Sequence, residues 1–132
     1  MPLALMEHAV DPREALLDKI GSLDGIEVFN NQVLVAIYQR PEKTAGGIIL
    51  TDDTRKEDIW QGKVGLILKM GASAFQDPSG AWFQGVNVDV GDWIWFRPSH
   101  GFQLTVNSRD GACRLFKDTD IAGVLPHPDM IW

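Results

Sequence analysis

An all-β fold, either a small barrel or a sandwich, is what the amino-acid sequence predicts, and three observations carry that expectation. From Ile26 onward, short runs rich in β-branched and aromatic residues follow one another. Between them stand clusters of Gly, Pro, Asn, Asp and Ser, the residues that tight turns require. The chain has 132 residues, which fits one domain and is long enough to bury one real core.

The elements follow in order. Asp11-Pro12-Arg13-Glu14 reads as a helix start: Asp11 caps, Pro12 takes the first helical position, and Glu14 stands where it can return a capping bond. Leu16, Leu17, Ile20 and Leu23 give this short helix one apolar stripe, and Gly21 or Gly25 can end it. The strands are expected at Ile26–Phe29, Val33–Tyr38, Lys63–Lys69, Trp93–Arg97, Phe102–Val106, Cys113–Phe116 and Ile121–Leu125. Asp77-Pro78-Ser79-Gly80 and Asn107-Ser108-Arg109-Asp110-Gly111 have the composition of hairpin tips. In Trp93-Ile94-Trp95-Phe96 every side chain is apolar, which implies a strand covered on both faces or one that meets another subunit.

One segment departs from this pattern. Ile48-Ile49-Leu50 lies between Gly46-Gly47 and the polar run Thr51-Asp52-Asp53-Thr54-Arg55-Lys56-Glu57-Asp58. A loop cannot bury three bulky aliphatic side chains by itself, so the triplet is either a short buried strand or a recognition tip that docks onto a partner.

Composition narrows the function. A net charge of −6 without a Lys/Arg cluster argues against nucleic acid and anionic membrane as partners, because neither would be attracted. No apolar run approaches the ~20 residues of a membrane span, and Met1–Val10 lacks the basic start and long apolar core of a signal peptide, so a cytoplasmic protein is expected. Cys113 is the single cysteine and sits in an apolar run, as a core residue would.

Catalysis finds no constellation to rest on. His8, His100 and His127 have no metal-ligand spacing, and each reads as a solvated or capping residue. Asp52, Asp53, Glu57 and Asp58 alternate with Arg55 and Lys56 and lack calcium-loop spacing. Gly46-Gly47 leads into aliphatic residues rather than the Lys and hydroxyl that a phosphate loop needs, and no serine stands in a nucleophile elbow. No catalytic residue, metal or cofactor is assigned, and a non-enzymatic protein is expected.

Five stretches, taken in order, resemble the GroES family of co-chaperonins. Val33-Leu34-Val35-Ala36-Ile37 is similar to the family's first core strand, Lys43-Thr44-Ala45-Gly46-Gly47-Ile48-Ile49-Leu50 to its mobile loop, and Gln61-Gly62-Lys63-Val64 to the strand that follows. Val90-Gly91-Asp92 with Trp93–Phe96 resembles the Val-Gly-Asp-x-Val-x-Phe strand, and Phe116-Lys117-Asp118-Thr119-Asp120-Ile121-Ala122 the element before the last strand.

The resemblance implies a GroES-like small β-barrel over 26–125, with a mobile loop at about 40–61 and a roof hairpin at about 72–88, flanked by an N-terminal extension, 1–25, and a tail, 126–132. It further implies a homo-oligomeric ring, a heptamer, that caps a GroEL-like chaperonin ring and assists its ATP-dependent folding of other proteins. Gly46, Gly47, Ile48, Ile49 and Leu50 would then contact the chaperonin. Each buried aliphatic side chain stabilises by ~1.5–3 kcal/mol. Ordering costs ~1–2 kcal/mol per residue, so one loop binds weakly and several on one ring bind well. Ile26, Val28 and Phe29 of one subunit would meet Ile121, Val124 and Leu125 of the next, closing two open edges.

Three departures stand out against the family pattern. The extensions lie at the two ends expected to form the subunit seam, and either could add a contact. The roof carries Phe75, Trp82 and Phe83, more aromatic than a polar roof over a substrate cage. Trp93 and Trp95 read as core, whereas Trp60, Trp82 and Trp132 are candidate interface anchors among five tryptophans. Such departures leave a second reading open: a structural subunit that keeps the barrel for another assembly, such as a capsid decoration or cement protein of a virion.

Overall fold

The computed structural model describes residues 10–40, 61–79, 83, 85–107 and 112–131. Helix α1 spans Pro12–Ile20; Asp11 accepts a hydrogen bond from the Arg13 amide at 2.9 Å, and Gly21, at φ 81°, ends the helix by donating to Leu17 O. The six strands are β1 Gln32–Ile37, β2 Val64–Met70, β3 Trp93–Phe96, β4 Phe102–Thr105, β5 Ala112–Lys117 and β6 Ile121–Leu125. They form one sheet in the order β4-β5-β1-β2-β3-β6, with every neighbouring pair antiparallel. The architecture is mostly antiparallel sheet with one short α-helix, as the all-β reading of the sequence expects.

The sheet is curled. Neighbouring strands stand about 4.8 Å apart, so β5 and β3, three steps apart, would lie about 14 Å from each other in a flat sheet. Yet the rings of Phe116 and Phe96, one from each, meet at a centroid distance of 4.5 Å. Irregularities at Leu34/Val35 against β2 and at Trp95/Phe96 against β6 give local bends of the kind that close sheets.

Curling creates two distinct cores. The inner one collects Val33, Val35 and Ile37 of β1 with Ile67, Ile94, Phe96 and Phe116. Gly65 makes this packing fit, since a Cβ there would stand 2.3 Å from Val35 Cγ1 and 3.2 Å from Phe96 Cε1. The outer core takes the alternate residues Leu34, Ala36 and Tyr38, with Val64, Leu66, Trp93 and Cys113, and is roofed by Leu16 and Ile20 of α1. Leu23, Ile26 and Val28 also lie against it, as does Ile131 of the C-terminal tail.

Three sequence expectations are corrected here. Ile26–Phe29 is not a strand in the single chain, because no ladder partner is offered to it. Its Ile26 amide donates instead to Leu23 O at 3.1 Å, and Phe29 O accepts from Gln32. Leu17, placed on the helix's apolar stripe by its spacing, is 43% exposed, while Leu16, Ile20 and, beyond the helix end, Leu23 turn to the core. Trp93, Ile94 and Phe96 are buried, but Trp95, read from the sequence as core, is 37% exposed, because its indole lies over Gly123 on the strand's open side.

Candidate partner-binding site

Gly46, Gly47, Ile48, Ile49 and Leu50 lie outside the described residues, but both roots of their loop are described. The Tyr38 amide donates to Val64 O at 2.9 Å, so the chain that leaves β1 and the chain that enters β2 are held side by side. Tyr38 is itself pinned twice. Its ring stands edge-on to Trp93 at 5.7 Å, and its hydroxyl donates to Asp129 Oδ1 at 2.5 Å. Asp129 is only 6% exposed and sits in a 3-10 turn, Pro128–Met130, whose first amides are capped by His127 Nδ1 accepting from Asp129 N at 3.2 Å. One residue further along the loop root, Gln39 Oε1 accepts from Lys19 Nζ of α1 at 2.8 Å.

The expected seam residues occupy the surface unevenly. Ile26 and Val28 are partly buried against the outer core, whereas Phe29 is 63% exposed. Beside them opens a groove of about 200 Å³, lined by Val28, Phe29, Leu34, Phe102, Leu104 and Leu115 among others. On the far edge of the sheet, β6 has a ladder to β3 on one side only. Ile121 points to the inner core, Leu125 is buried in the outer one, and Val124 is exposed. The chain therefore carries an apolar groove and an open strand edge.

At the roof, Phe75 and Phe83 meet in a T-shaped contact at 5.4 Å, and both hold φ near 59°. A left-handed backbone costs a bulky residue roughly 1–3 kcal/mol, so the surroundings must fix it. Asp118 does so for Phe75. Almost fully buried, its carboxylate accepts from the Phe75 amide and from Asn31 Nδ2, each at 3.0 Å. Gly71, at the roof's base, has no room for a side chain, since a Cβ would lie 2.2 Å from Asn30 O. Trp82, like Trp60 and Trp132, lies outside the described residues.

Sequence reading missed Tyr38, Asp118, Asp129 and Arg114 as organising residues. Arg114 shares the inner face with its ladder partner Val35 and donates through Nη1 to Pro98 O and His100 O, tying the β3–β4 connection across the barrel. Burial lowers its pKa from the usual arginine range. A hint lay in Pro128-Asp129, where a carboxylate directly follows a residue that packs.

Among the described residues no group of three His, Cys, Asp or Glu side chains could hold a metal ion. Cys113 is fully buried, and burial pushes its thiol up to about 12, the opposite of what a nucleophile needs.

Comparison with known proteins places the chain in a family. Residues 25–125 match the family described as the chaperonin 10 kDa subunit. The chain is 34% identical over 96 residues to Co-chaperonin GroES 2 of Mesorhizobium japonicum, covering 73% of this chain and 85% of that one. It is 31% identical over 98 residues to Co-chaperonin GroES of Dinoroseobacter shibae, with coverage of 73% and 85%. Against Co-chaperonin GroES of Pelagibacter ubique the identity is 30% over 95 residues, with coverage of 72% and 91%.

Proposed function

The chain belongs to the chaperonin 10 kDa subunit family, and from that premise we propose a co-chaperonin that caps a GroEL-like chaperonin ring by inserting Ile48, Ile49 and Leu50 into its apical surface. The observation that carries this is the family match, whose range, residues 25–125, includes the glycine-flanked triplet together with the strands on either side. Support comes from the loop's roots. The Tyr38–Val64 bond holds the end of β1 beside the start of β2, so the segment that carries the triplet leaves and re-enters the sheet at one place.

Self-association into a ring, with seven subunits as the expected number, is part of the same reading. Ile26, Val28 and Phe29 would pair with Ile121, Val124 and Leu125 of a neighbour, which would give Ile26–Phe29 the ladder it lacks alone. The apolar groove beside Phe29 favours such a contact. No described helix is long and apolar enough to cross a membrane, and the cytoplasm is the proposed compartment. No catalytic activity is proposed, in keeping with a non-enzymatic family. The relatives named above are co-chaperonins, and nothing among them favours a shell subunit.

Ile49→Asp tests the reading directly, because an unpaired charge cannot enter an apolar groove without a cost of several kcal/mol. Chaperonin-dependent refolding of a stringent client should fall to the level without co-chaperonin, while ring assembly by analytical ultracentrifugation is unchanged. Full refolding activity in the variant would refute the assignment.

A further inference from the structure

We propose that the two terminal extensions form a collar at the root of the 41–60 loop and so set how the loop is presented to its partner. The proposal rests on the partner reading above and adds a positioning device to it. It begins with a convergence. Tyr38 and Gln39, consecutive residues at the loop's root, each receive a hydrogen-bonding partner from a different extension: Asp129 from the tail, at 2.5 Å, and Lys19 from α1, at 2.8 Å. Both donors of restraint lie outside the 25–125 match, so the family's barrel does not supply them.

A restraint works only if its far end is fixed. On the N-terminal side, α1 is anchored by the buried Leu16 and Ile20, and its C-terminal end is tied to the barrel by Asn107 Nδ2, which donates to Ile20 O at 2.9 Å and to Ser22 O at 2.6 Å. Lys19 thus reaches Gln39 from a fixed platform. On the C-terminal side Pro128 is among the most fully buried side chains of the protein, and Asp129 is buried beside it. Tyr38 is 3% exposed, so its bond to Asp129 is made away from competing water and is the stronger of the two.

The consequence for the loop is entropic and directional. A loop with fixed roots samples fewer orientations before binding and loses less freedom when its tip is captured. Tyr38 and Lys19 are positioning residues in this sense, and neither is assigned contact with the partner.

The test uses the full-length protein. Tyr38→Phe keeps the ring against Trp93 and removes only the hydroxyl; Lys19→Met removes the second bond at an exposed site where folding is not at risk. Three quantities are measured: hydrogen exchange at 38–40 and 61–64, the rate of protease nicking within 41–60, and the Kd for a nucleotide-bound GroEL-type ring. Each variant should accelerate exchange and nicking and weaken Kd by roughly three- to tenfold, the range that loss of one hydrogen bond allows, with the larger effect in Tyr38→Phe. Unchanged exchange and nicking in both variants would overturn the collar, and faster nicking with an unchanged Kd would overturn its role in presentation. If the wild-type protein fails to bind the chaperonin ring, the partner reading falls by itself, and exchange and nicking still decide whether the collar restrains the loop.

Discussion

The inner face of the curled sheet is filled by the sheet's own strands, whereas the outer face is filled from outside the barrel. Val33, Val35, Ile37, Ile67, Ile94, Phe96 and Phe116 meet one another because the sheet bends. Leu34, Ala36, Tyr38, Leu66 and Trp93 point the other way and depend on α1, the 21–29 segment and the C-terminal turn for cover. One face is closed by topology, the other by added chain. What the difference teaches is that a strand apolar on both faces, such as Val33–Tyr38, commits its protein to supplying a second layer.

The sharpest way to break that comparison is to weaken each face in turn. Phe116→Ala removes a fully buried ring from the inner core and should cost about 4 kcal/mol in urea unfolding, a large share of a domain's stability. Ile20→Ala opens the outer core from the helix side and should cost about 3 kcal/mol, with Leu17→Ala as a near-neutral control because Leu17 is exposed. Equal, negligible losses in Ile20→Ala and Leu17→Ala would mean that the helix does not seal the outer face. Gly65→Ala tests tightness on the inner side: the added methyl meets Val35 and should cost about 2 kcal/mol, part of it recovered by Val35→Ala in the same chain. Failure of the second substitution to restore stability would show that the strain lies elsewhere.

Much of the fold could be read from the sequence because alternation and turn chemistry are local. The runs predicted at Val33–Tyr38, Lys63–Lys69, Trp93–Arg97, Phe102–Val106, Cys113–Phe116 and Ile121–Leu125 overlap β1 to β6 closely, and Asp11-Pro12 starts the helix as its composition suggests. What could not be read was the destination of the ends. Nothing in the spacing of Leu16 and Ile20 says which surface receives them, and the family pattern directs attention to the seam rather than to the subunit's own outer wall. Ile26–Phe29 forms no strand within the single chain for a related reason: β-propensity describes a residue's fitness for a sheet but cannot supply the neighbouring strand. Likewise Tyr38 and Asp129 are 91 positions apart, and only the folded chain brings a phenol and a carboxylate of that separation into contact.

The candidate site divides in the same way. Its proposed tip, Gly46 to Leu50, stands out in the sequence because three aliphatic residues interrupt an otherwise polar stretch. Its roots are visible only in the structure, where Val64, Asp129 and Lys19 converge on Tyr38 and Gln39. Hydrogen exchange resolved along the whole chain, with and without a nucleotide-bound chaperonin ring, addresses both halves at once. Binding should slow exchange across 46–50 strongly while β1 to β6 exchange as before; unchanged exchange at 46–50 in a verified complex would contradict the assignment of the triplet as the docking element.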